Sequence, residues 1–233
     1  MAAGNVMRSG GQRYRKRRPL PAFLLILVLG IAATIVWLRV MNEDGEATGA
    51  AHCAPPPTPT SATKPGEPVP TLGKPLEPNA LDKSLPVAPS AALVRVVNAS
   101  GQRGLATLVT ESLKALGFSQ VADPANDPIY GDKMTCRAQI RFGALGTAAA
   151  RTISLLEPCA ELVRDERQDA TVDVVLGDKF DDLHPNRAAK TLIEQLNDLA
   201  KQEPPAQGGL QATTPKTYKV DPSLMTAARN VKC

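Results

Sequence analysis

The 233 residues carry a formal net charge of +4, from 27 Lys and Arg against 23 Asp and Glu. Seven of the basic residues and none of the acidic ones lie in the first 41 positions, so the other 20 basic residues are outnumbered by 23 acidic ones. Because the positive charge is confined to one end, it is an orientation signal rather than a nucleic-acid footprint. We expect no DNA or RNA partner.

A basic tail, residues 1–19, precedes an apolar segment at 20–40. The run from Ala22 to Leu38 has seventeen residues without a charge, about the length that crosses a ~30 Å hydrocarbon core as a helix. Basic residues on one flank keep that flank in the cytoplasm. The sequence therefore predicts one transmembrane helix, a cytoplasmic N-terminus and an extracytoplasmic remainder. A cleaved signal peptide is the alternative, but its apolar region is usually only ~7–15 residues long.

Proline punctuates the next segment, residues 41–90, with eleven prolines between Pro55 and Pro89. Proline fixes its own φ and disfavours helix in the residue before it, so this segment is expected to be an extended, semi-rigid linker. At ~3.1 Å per residue it would hold a domain on the order of 100 Å from a membrane when fully extended. Residues 203–233 are expected to form a flexible tail with one short helix, from Pro222 to Arg229, capped by Asp221.

Residues 91–202 are the part of the chain expected to bury a core. Alternating or short apolar segments predict strands at 93–98, 121–122, 137–142, 161–164 and 171–176. Apolar residues at helical spacing predict helices at 105–116, 146–157 and 187–201. The first of these helices is followed by Gly117 and Phe118, a glycine stop and an apolar residue that close many helices.

This order of elements predicts an α+β domain, a small two-layer, split-βαβ-like fold with a mixed sheet, two helices on one face and a C-terminal helix. Arg95, Arg137 and Arg141 occupy outward positions in the alternating strands, so we expect the second sheet face to stay in water. These three arginines are the candidate binding face for an anionic wall polymer, an acidic lipid or an acidic protein strip. A merely solvated face is the plainer alternative.

Four cysteines, at positions 53, 136, 159 and 233, follow the apolar segment. An even count in an exported segment predicts disulfides, and four cysteines allow three connectivities. We expect Cys136 to pair with Cys159, since both lie in the folded part, and Cys53 to pair with Cys233. Metal binding is the alternative, but the chain has no Cys-x-x-Cys pair and only two histidines, so we expect no metal.

The turn after the first predicted strand contains Asn98, Gly101 and Gly104. Asn98 can bond to its own turn, Gly101 can take a positive φ, and Gly104 can let the following helix approach the sheet. The alternative is an anion held by free N–H groups at the helix N-terminus. The first glycine of the dinucleotide fingerprint is missing, so we expect no nucleotide cofactor.

The segment from Val94 to Ala106, with its Asn-Ala-Ser-Gly turn and a helix ending in Gly-Phe, resembles the opening signature of the LytR C-terminal (LytR_C) domain family. The segment Val174 to Phe180 is similar to that family's closing strand, so the resemblance covers about residues 91–180. The basic tail, single span, proline-rich tether and lone domain with extra cysteines resemble the actinobacterial cell-envelope-integrity proteins. Larger relatives carry a separate catalytic domain that attaches polymers to the wall, and the resemblance implies no such transferase activity here.

No catalytic constellation is recognisable, and His184 before Pro185 is typical of a surface histidine rather than a base. We therefore expect a non-enzymatic, single-pass protein that maintains envelope integrity as a scaffold for cell-wall or division proteins. The alternative is a receptor for an anionic wall glycan or lipid intermediate. The expected partners are the cytoplasmic membrane and either envelope proteins or an anionic wall polymer, with homo-oligomerisation left open.

Overall fold

The computed structural model describes residues 26–34, 52–57, 71–202 and 216–233. The chain divides into two compact units, Met1–Gly45 and Glu46–Cys233. In the first unit, residues 26–34 form a helix, α1, in which the Thr34 hydroxyl donates to the Gly30 carbonyl. None of the helices in the described ranges has the length and apolar character needed to cross a membrane. The predicted span at 20–40 and the basic tail at 1–19 lie largely outside the described residues.

The described part of the second unit is built around a mixed sheet. Its elements in chain order are β1 (Lys74–Leu76), a short 3₁₀ helix (Pro89–Ala91), β2 (Val94–Asn98), α2 (Leu105–Ala115), β3 (Val121–Asn126), β4 (Ala138–Phe142), α3 (Thr147–Leu156), β5 (Glu161–Arg164), β6 (Val172–Leu176), α4 (Arg187–Lys201) and α5 (Pro222–Arg229). The strand order is β1-β5-β4-β6-β2-β3. β2 pairs in parallel with β3 and β4 with β5, while β6 lies between these two βαβ units, parallel to β2 and antiparallel to β4. The α+β class with a mixed sheet is confirmed.

Local signals set the ends of the helices. Gly117 has a φ of 98°, and the Phe118 N–H donates to the Leu113 carbonyl at 3.2 Å, the bond that closes α2. The side chain of Asp221 accepts from the Ser223 N–H at 2.8 Å and caps α5. Both helix ends therefore follow from residues next to them in the chain.

The main core lies between one sheet face and the helices. The strands contribute Val94, Val96, Ile140, Phe142, Val174 and Leu176, and the helices contribute Val109, Leu113, Ile153, Leu156, Leu192 and Leu196. All of these side chains are buried, and burial of each aliphatic or aromatic side chain contributes about 1.5–3 kcal/mol. Because α2 and α3 contact the same cluster, both lie on one face of the sheet, as the sequence predicts.

The folded part of the second unit includes residues that composition assigned to the linker. β1 pairs antiparallel with the edge of β5, and Leu81 and Val87 are buried in the main core. The Val87 N–H donates to the Thr152 hydroxyl, which in turn donates to the Val87 carbonyl. Pro75 lies in β1, at the edge of the sheet, where proline is tolerated. The proline content of this segment therefore could not distinguish an edge strand from an extended linker.

The second sheet face is covered rather than wet, which corrects the sequence expectation. Gln139, Arg141 and Asp173 all point to this face and are buried. The loop at 127–136 and the residues around Cys53 lie against it, and side chains from both pack with outward-facing strand residues in a second apolar cluster. That cluster contains Val97, Ala99, Tyr130, Met134, Cys136 and Val175, with Cys53, Leu72 and Ile129 partly buried beside it.

Both disulfide bonds differ from the predicted pairing. Cys53 pairs with Cys136, and Cys159 pairs with Cys233. Cys136 belongs to the cluster on the second face, where residues 52–57 lie, whereas the chain has crossed to the helix layer through α3 before it reaches Cys159. α3 contacts α5, the helix that brings the carboxyl terminus to Cys159. Location in the folded part was therefore not enough to predict the pairing, because the sheet lies between Cys136 and Cys159.

Arg137 fastens the start of β4 to the end of α3. Its Nε and Nη2 donate to the Glu157 carboxylate at 2.8 and 3.2 Å, and its Nη1 donates to Asp181 at 2.6 Å. The Phe180 ring lies 5.0 Å from the guanidinium carbon. Burial raises the pKa of Glu157 despite the bonds from Arg137, whereas the bond from Arg137 lowers the pKa of the exposed Asp181 to about 2.

We predict that the disulfide pairing is visible by peptide mapping without reduction. Proteolysis should release one linked pair of peptides containing Cys53 and Cys136, and another containing Cys159 and Cys233. The double variant Cys159→Ser/Cys233→Ser should lose about 2–4 kcal/mol of unfolding free energy, since a long loop is no longer closed. Recovery of a Cys136–Cys159 peptide would contradict the structure.

We also predict that Asp181 makes the free energy of unfolding depend on pH in the acidic range. Because its folded-state pKa lies below the ordinary value of 3.8, its contribution is present above about pH 4 and is lost as the pH falls through about 2. Asp181→Asn should lower the unfolding free energy at neutral pH by at most about 1 kcal/mol, since the group is exposed. Denaturant titrations between pH 2 and 7 should show a shallower acid decline than in wild type, and Asp178→Asn is the matched exposed control. Equal acid slopes in wild type and Asp181→Asn would refute this role.

Candidate functional site

A polar cleft of about 350 Å³ opens on the second sheet face, beside the loop at 127–136. We call it the ionic cleft, after the charged side chains that line it: Arg95, Arg141, Arg167, Asp127, Asp165 and Asp173. Three positive charges there meet three negative ones.

The sheet register sets the central row of the ionic cleft. Asp173 in β6 is in register with Arg95 in β2 and with Arg141 in β4. Residues in register on neighbouring strands lie side by side on the same face, so the two arginines flank the aspartate. Arg167 reaches the same aspartate from the loop between β5 and β6.

Asp173 is held by two arginines. It accepts two bonds from Arg95, both at 2.9 Å, and one from Arg167 at 2.8 Å. Arg167 also donates to Asp165 at 2.6 Å. Burial opposes ionisation of Asp173, but the bonds from Arg95 and Arg167 outweigh it, so its pKa lies below the ordinary value. The aspartate is therefore a charged structural partner at neutral pH.

Arg141 and Asp127 form the deepest pair in the ionic cleft. Two parallel bonds of 2.7 and 3.0 Å join their side chains, which are only 5% and 0% exposed. The Arg141 Nε donates to Gln139 at 2.9 Å, and the Tyr130 ring lies 5.5 Å from the guanidinium carbon. With so little solvent contact, each charge depends on the other.

The bonding continues from this pair to the segment at 52–57. Gln139 donates to Glu161 at 2.7 Å and to the Tyr130 hydroxyl at 3.3 Å. The same hydroxyl donates to the Ala54 carbonyl at 2.8 Å, and the Cys53 N–H donates to Glu161 at 3.4 Å. Burial is the main cause of the raised pKa of Tyr130, so the hydroxyl keeps its proton at neutral pH. The network thus ties the start of the second unit to its sheet.

The predicted binding face of three arginines is not an exposed row. Arg141 is buried against Asp127, and Arg137 lies apart from the ionic cleft, at the end of α3. Only Arg95 of the three has a substantially exposed side chain, at 44%. The structure therefore brings Arg95 and Arg141 together around Asp173 and leaves Arg137 with a separate structural role.

In the turn after β2, Asn98 and Gly101 have the geometry that the sequence predicts, whereas Gly104 does not bring the helix close to the sheet: a Cβ built there would meet no atom within 4 Å, and its positive φ is what favours glycine. The Asn98 carboxamide accepts from the Ser100 N–H at 3.0 Å and donates to the Gln102 carbonyl at 2.9 Å. Gly101 and Gly104 have φ values of 73° and 82°, which favour glycine. These contacts are internal to the turn.

Sequence reasoning missed Asp127, Asp165 and Arg167, which lie in loops without periodicity. One signal for a covered face was present, because Val97 and Val175 occupy outward positions of β2 and β6, two residues after the outward-facing Arg95 and Asp173. Apolar residues at such positions indicate a surface in contact with something other than water. Among the residues that the structure describes, no group of three or more His, Cys, Asp or Glu side chains is arranged to hold a metal ion.

We predict that loss of Arg141 is far more damaging than loss of Arg95. Arg141→Met leaves Asp127 buried without its cation and should cost about 3–5 kcal/mol of unfolding free energy. Arg95→Gln should cost about 1 kcal/mol or less, because it is partly exposed and Asp173 keeps Arg167. Denaturant unfolding of both variants checks this. The double variant Arg141→Met/Asp127→Asn, whose amide oxygen can still accept from the Tyr130 N–H, should recover more than half of the loss, and no recovery would refute the pairing.

Comparisons with known proteins agree with this architecture. Residues 91–180 match the LytR_C model, described as LytR cell envelope-related transcriptional attenuator. The cell envelope integrity protein Cei of Mycobacterium tuberculosis is 35% identical over 201 residues, which cover 85% of this chain and 90% of that protein.

A solved structure is similar as well. The crystal structure of the soluble domain of a conserved hypothetical secreted protein from Mycobacterium marinum has a TM-score of 0.58 and 36% sequence identity. The match covers 70% of this chain and 99% of that one. The sequence resemblance to LytR_C is thereby confirmed, and the chain belongs to the family of cell envelope integrity protein Cei, with a LytR_C domain at its centre.

Proposed function

We propose that this chain is a non-catalytic, membrane-anchored protein that maintains the integrity of the cell envelope from the extracytoplasmic side, as a scaffold for cell-wall or division proteins. The observation that carries this proposal is the similarity to Cei along most of both chains. That relative is named for cell envelope integrity, and its match extends well beyond the LytR_C domain. The actinobacterial origin suggested by the mycobacterial relatives is part of the same proposal.

The disulfide bonds support an extracytoplasmic location. All four cysteines are paired, and stable disulfides persist mainly in oxidising compartments. Both bonds lie after the apolar segment at 20–40, which we propose as the membrane anchor. The basic residues before that segment favour a cytoplasmic N-terminus.

The Cys53–Cys136 bond changes how far the domain reaches from its anchor. With Cys53 bonded to the folded part, the covalent path from residue 41 runs through residue 53 rather than through the whole proline-rich segment. Such a path spans at most about 45 Å when fully extended. We propose that this bond shortens the covalent tether between the anchor and the domain.

The charges of the ionic cleft support binding or structure rather than catalysis. Each of its carboxylates accepts bonds from an arginine, so none is placed as a free base. The same pairing weakens the alternative of a polyanion receptor on this face, because three aspartates neutralise its three arginines. A scaffold with a rigid, locked sheet face is the better supported function.

A deletion strain tests the proposal. We expect loss of the gene to increase uptake of a dye that the intact envelope excludes, because an integrity factor is missing. The full chain should restore exclusion, whereas a variant lacking residues 20–40 should not, provided that both accumulate to equal amounts. Normal exclusion in the deletion strain would contradict the proposed function.

Two binding assays separate the scaffold from the receptor. Photo-crosslinking of the full chain in intact cells should recover defined wall or division proteins, and the purified chain should not sediment with purified wall. Sedimentation with wall in the absence of crosslinked proteins would favour the receptor for an anionic glycan and overturn the scaffold.

A further inference from the structure

A second polar cleft, of about 440 Å³, lies on the helix side of the domain. α3 contributes Arg151, α5 contributes Arg229, and the segment before the 3₁₀ helix contributes Asp82. We call it the arginine cleft. None of these three residues belongs to the ionic cleft or to the predicted binding face.

The charges of the arginine cleft do not balance. Asp82 accepts from Arg151 at 3.0 Å and also from Arg229. The Arg151 side chain is 3% exposed, whereas the Asp82 carboxylate that it shares is 47% exposed. Two guanidinium groups thus share one carboxylate, and the cleft has one excess positive charge next to a buried arginine.

Arg151, which lines the arginine cleft, has one buried donor without an acceptor among the described residues. The Arg151 Nε has no hydrogen-bond partner in the part of the chain that the structure describes, although solvent barely reaches it. Burial is the main cause of the lowered pKa of Arg151, and the nearby charge of Arg229 adds to it. A buried donor left without an acceptor is destabilising, and a negatively charged oxygen would satisfy it.

The covalent structure holds this arrangement in place. Arg229 is the last residue of α5. The disulfide bond between Cys233, which follows α5, and Cys159, which follows α3, links the two helices covalently. Asn186 donates to the carbonyls of Ala227 and Ala228 at 2.9 and 3.0 Å. Arg229 is therefore positioned by a disulfide bond and by the hydrogen bonds from Asn186 to α5.

We propose that the arginine cleft binds a singly charged oxyanion of the phosphodiester or carboxylate class. One negative charge neutralises the excess charge, and guanidinium groups form short, charge-assisted bonds with both anions. Pro222 and Met225 also line the cleft and provide apolar surface for the carbon substituents of such a group. This site goes beyond the scaffold function and does not depend on it.

Titration of the full chain in a nonionic detergent tests the site. With arginine labelled with nitrogen-15, the Nε–H signals of Arg151 and Arg229 should shift and saturate on addition of dimethyl phosphate, sodium acetate or both. Saturation by only one of them assigns the class, and saturation by both assigns the shared oxyanion chemistry. Trimethyl phosphate, which is uncharged, should leave the signals unchanged.

Two variants should change the affinity in opposite directions. Arg229→Gln should weaken binding about tenfold or more, since one charge-assisted bond is lost. Asp82→Asn should tighten binding about fivefold, because the competing carboxylate is removed. The substituted amide oxygen can still accept from Arg151, so a folded state should be retained, although the buried arginine loses its charged partner and the free energy of unfolding should fall. Arg103→Gln, an exposed arginine in the turn before α2, is the matched control with unchanged binding.

The proposal is overturned by either of two results. One is the absence of saturable shifts at Arg151 with both anions up to about 100 mM, a hundredfold above a ~1 mM dissociation constant. The other is equal or weaker binding by folded Asp82→Asn. Neither result bears on the envelope permeability assay, so failure of this site and failure of the scaffold function remain distinguishable.

Discussion

The closed arrangement of the second sheet face depends on one buried ion pair, Asp127 with Arg141. Removing two charges from water is costly, and their attraction compensates only when they meet with good geometry. A displaced loop at 127–136 that still excluded water would leave one charge buried alone. The pair therefore fixes one position of that loop over the second sheet face. The ion pair contributes more to selecting a single closed arrangement of the loop than to the free energy of unfolding.

That position of the loop determines how the rest of the chain is fastened. It sets Cys136 and Tyr130 on the second face, where Cys53 forms a disulfide and Ala54 accepts a hydrogen bond. The other disulfide, Cys159–Cys233, fastens the opposite end of the chain in the helix layer. Each of the two low-order segments that composition predicts is thus tied to the domain by its own bond. The disulfides constrain reach and position as well as stability.

The parts of the fold that sequence predicted well are those set by near neighbours. α2 ends at its glycine stop, α5 begins at Asp221, and apolar spacing places the main core, because these features need only a few adjacent residues. The cover over the second face depends on contacts between separate segments, such as Asp127 with Arg141. The spacing of apolar residues along the chain does not predict such contacts. Disulfide pairing failed for the same reason. Val97 and Val175 were the local hint, since alternation put apolar side chains on a face expected to be wet.

The two clefts differ in charge balance, and this difference bears on where function lies. In the ionic cleft every arginine is paired with an aspartate. The sheet face that the sequence predicts to be positively charged therefore has its arginines neutralised. In the arginine cleft, Arg151 and Arg229 share Asp82, and the excess charge lies beside a buried donor. A buried cation whose carboxylate partner is shared with a second arginine is costly unless a ligand or partner adds negative charge. The proposed oxyanion site therefore lies in the helix layer, at a position that the carboxyl-terminal disulfide completes.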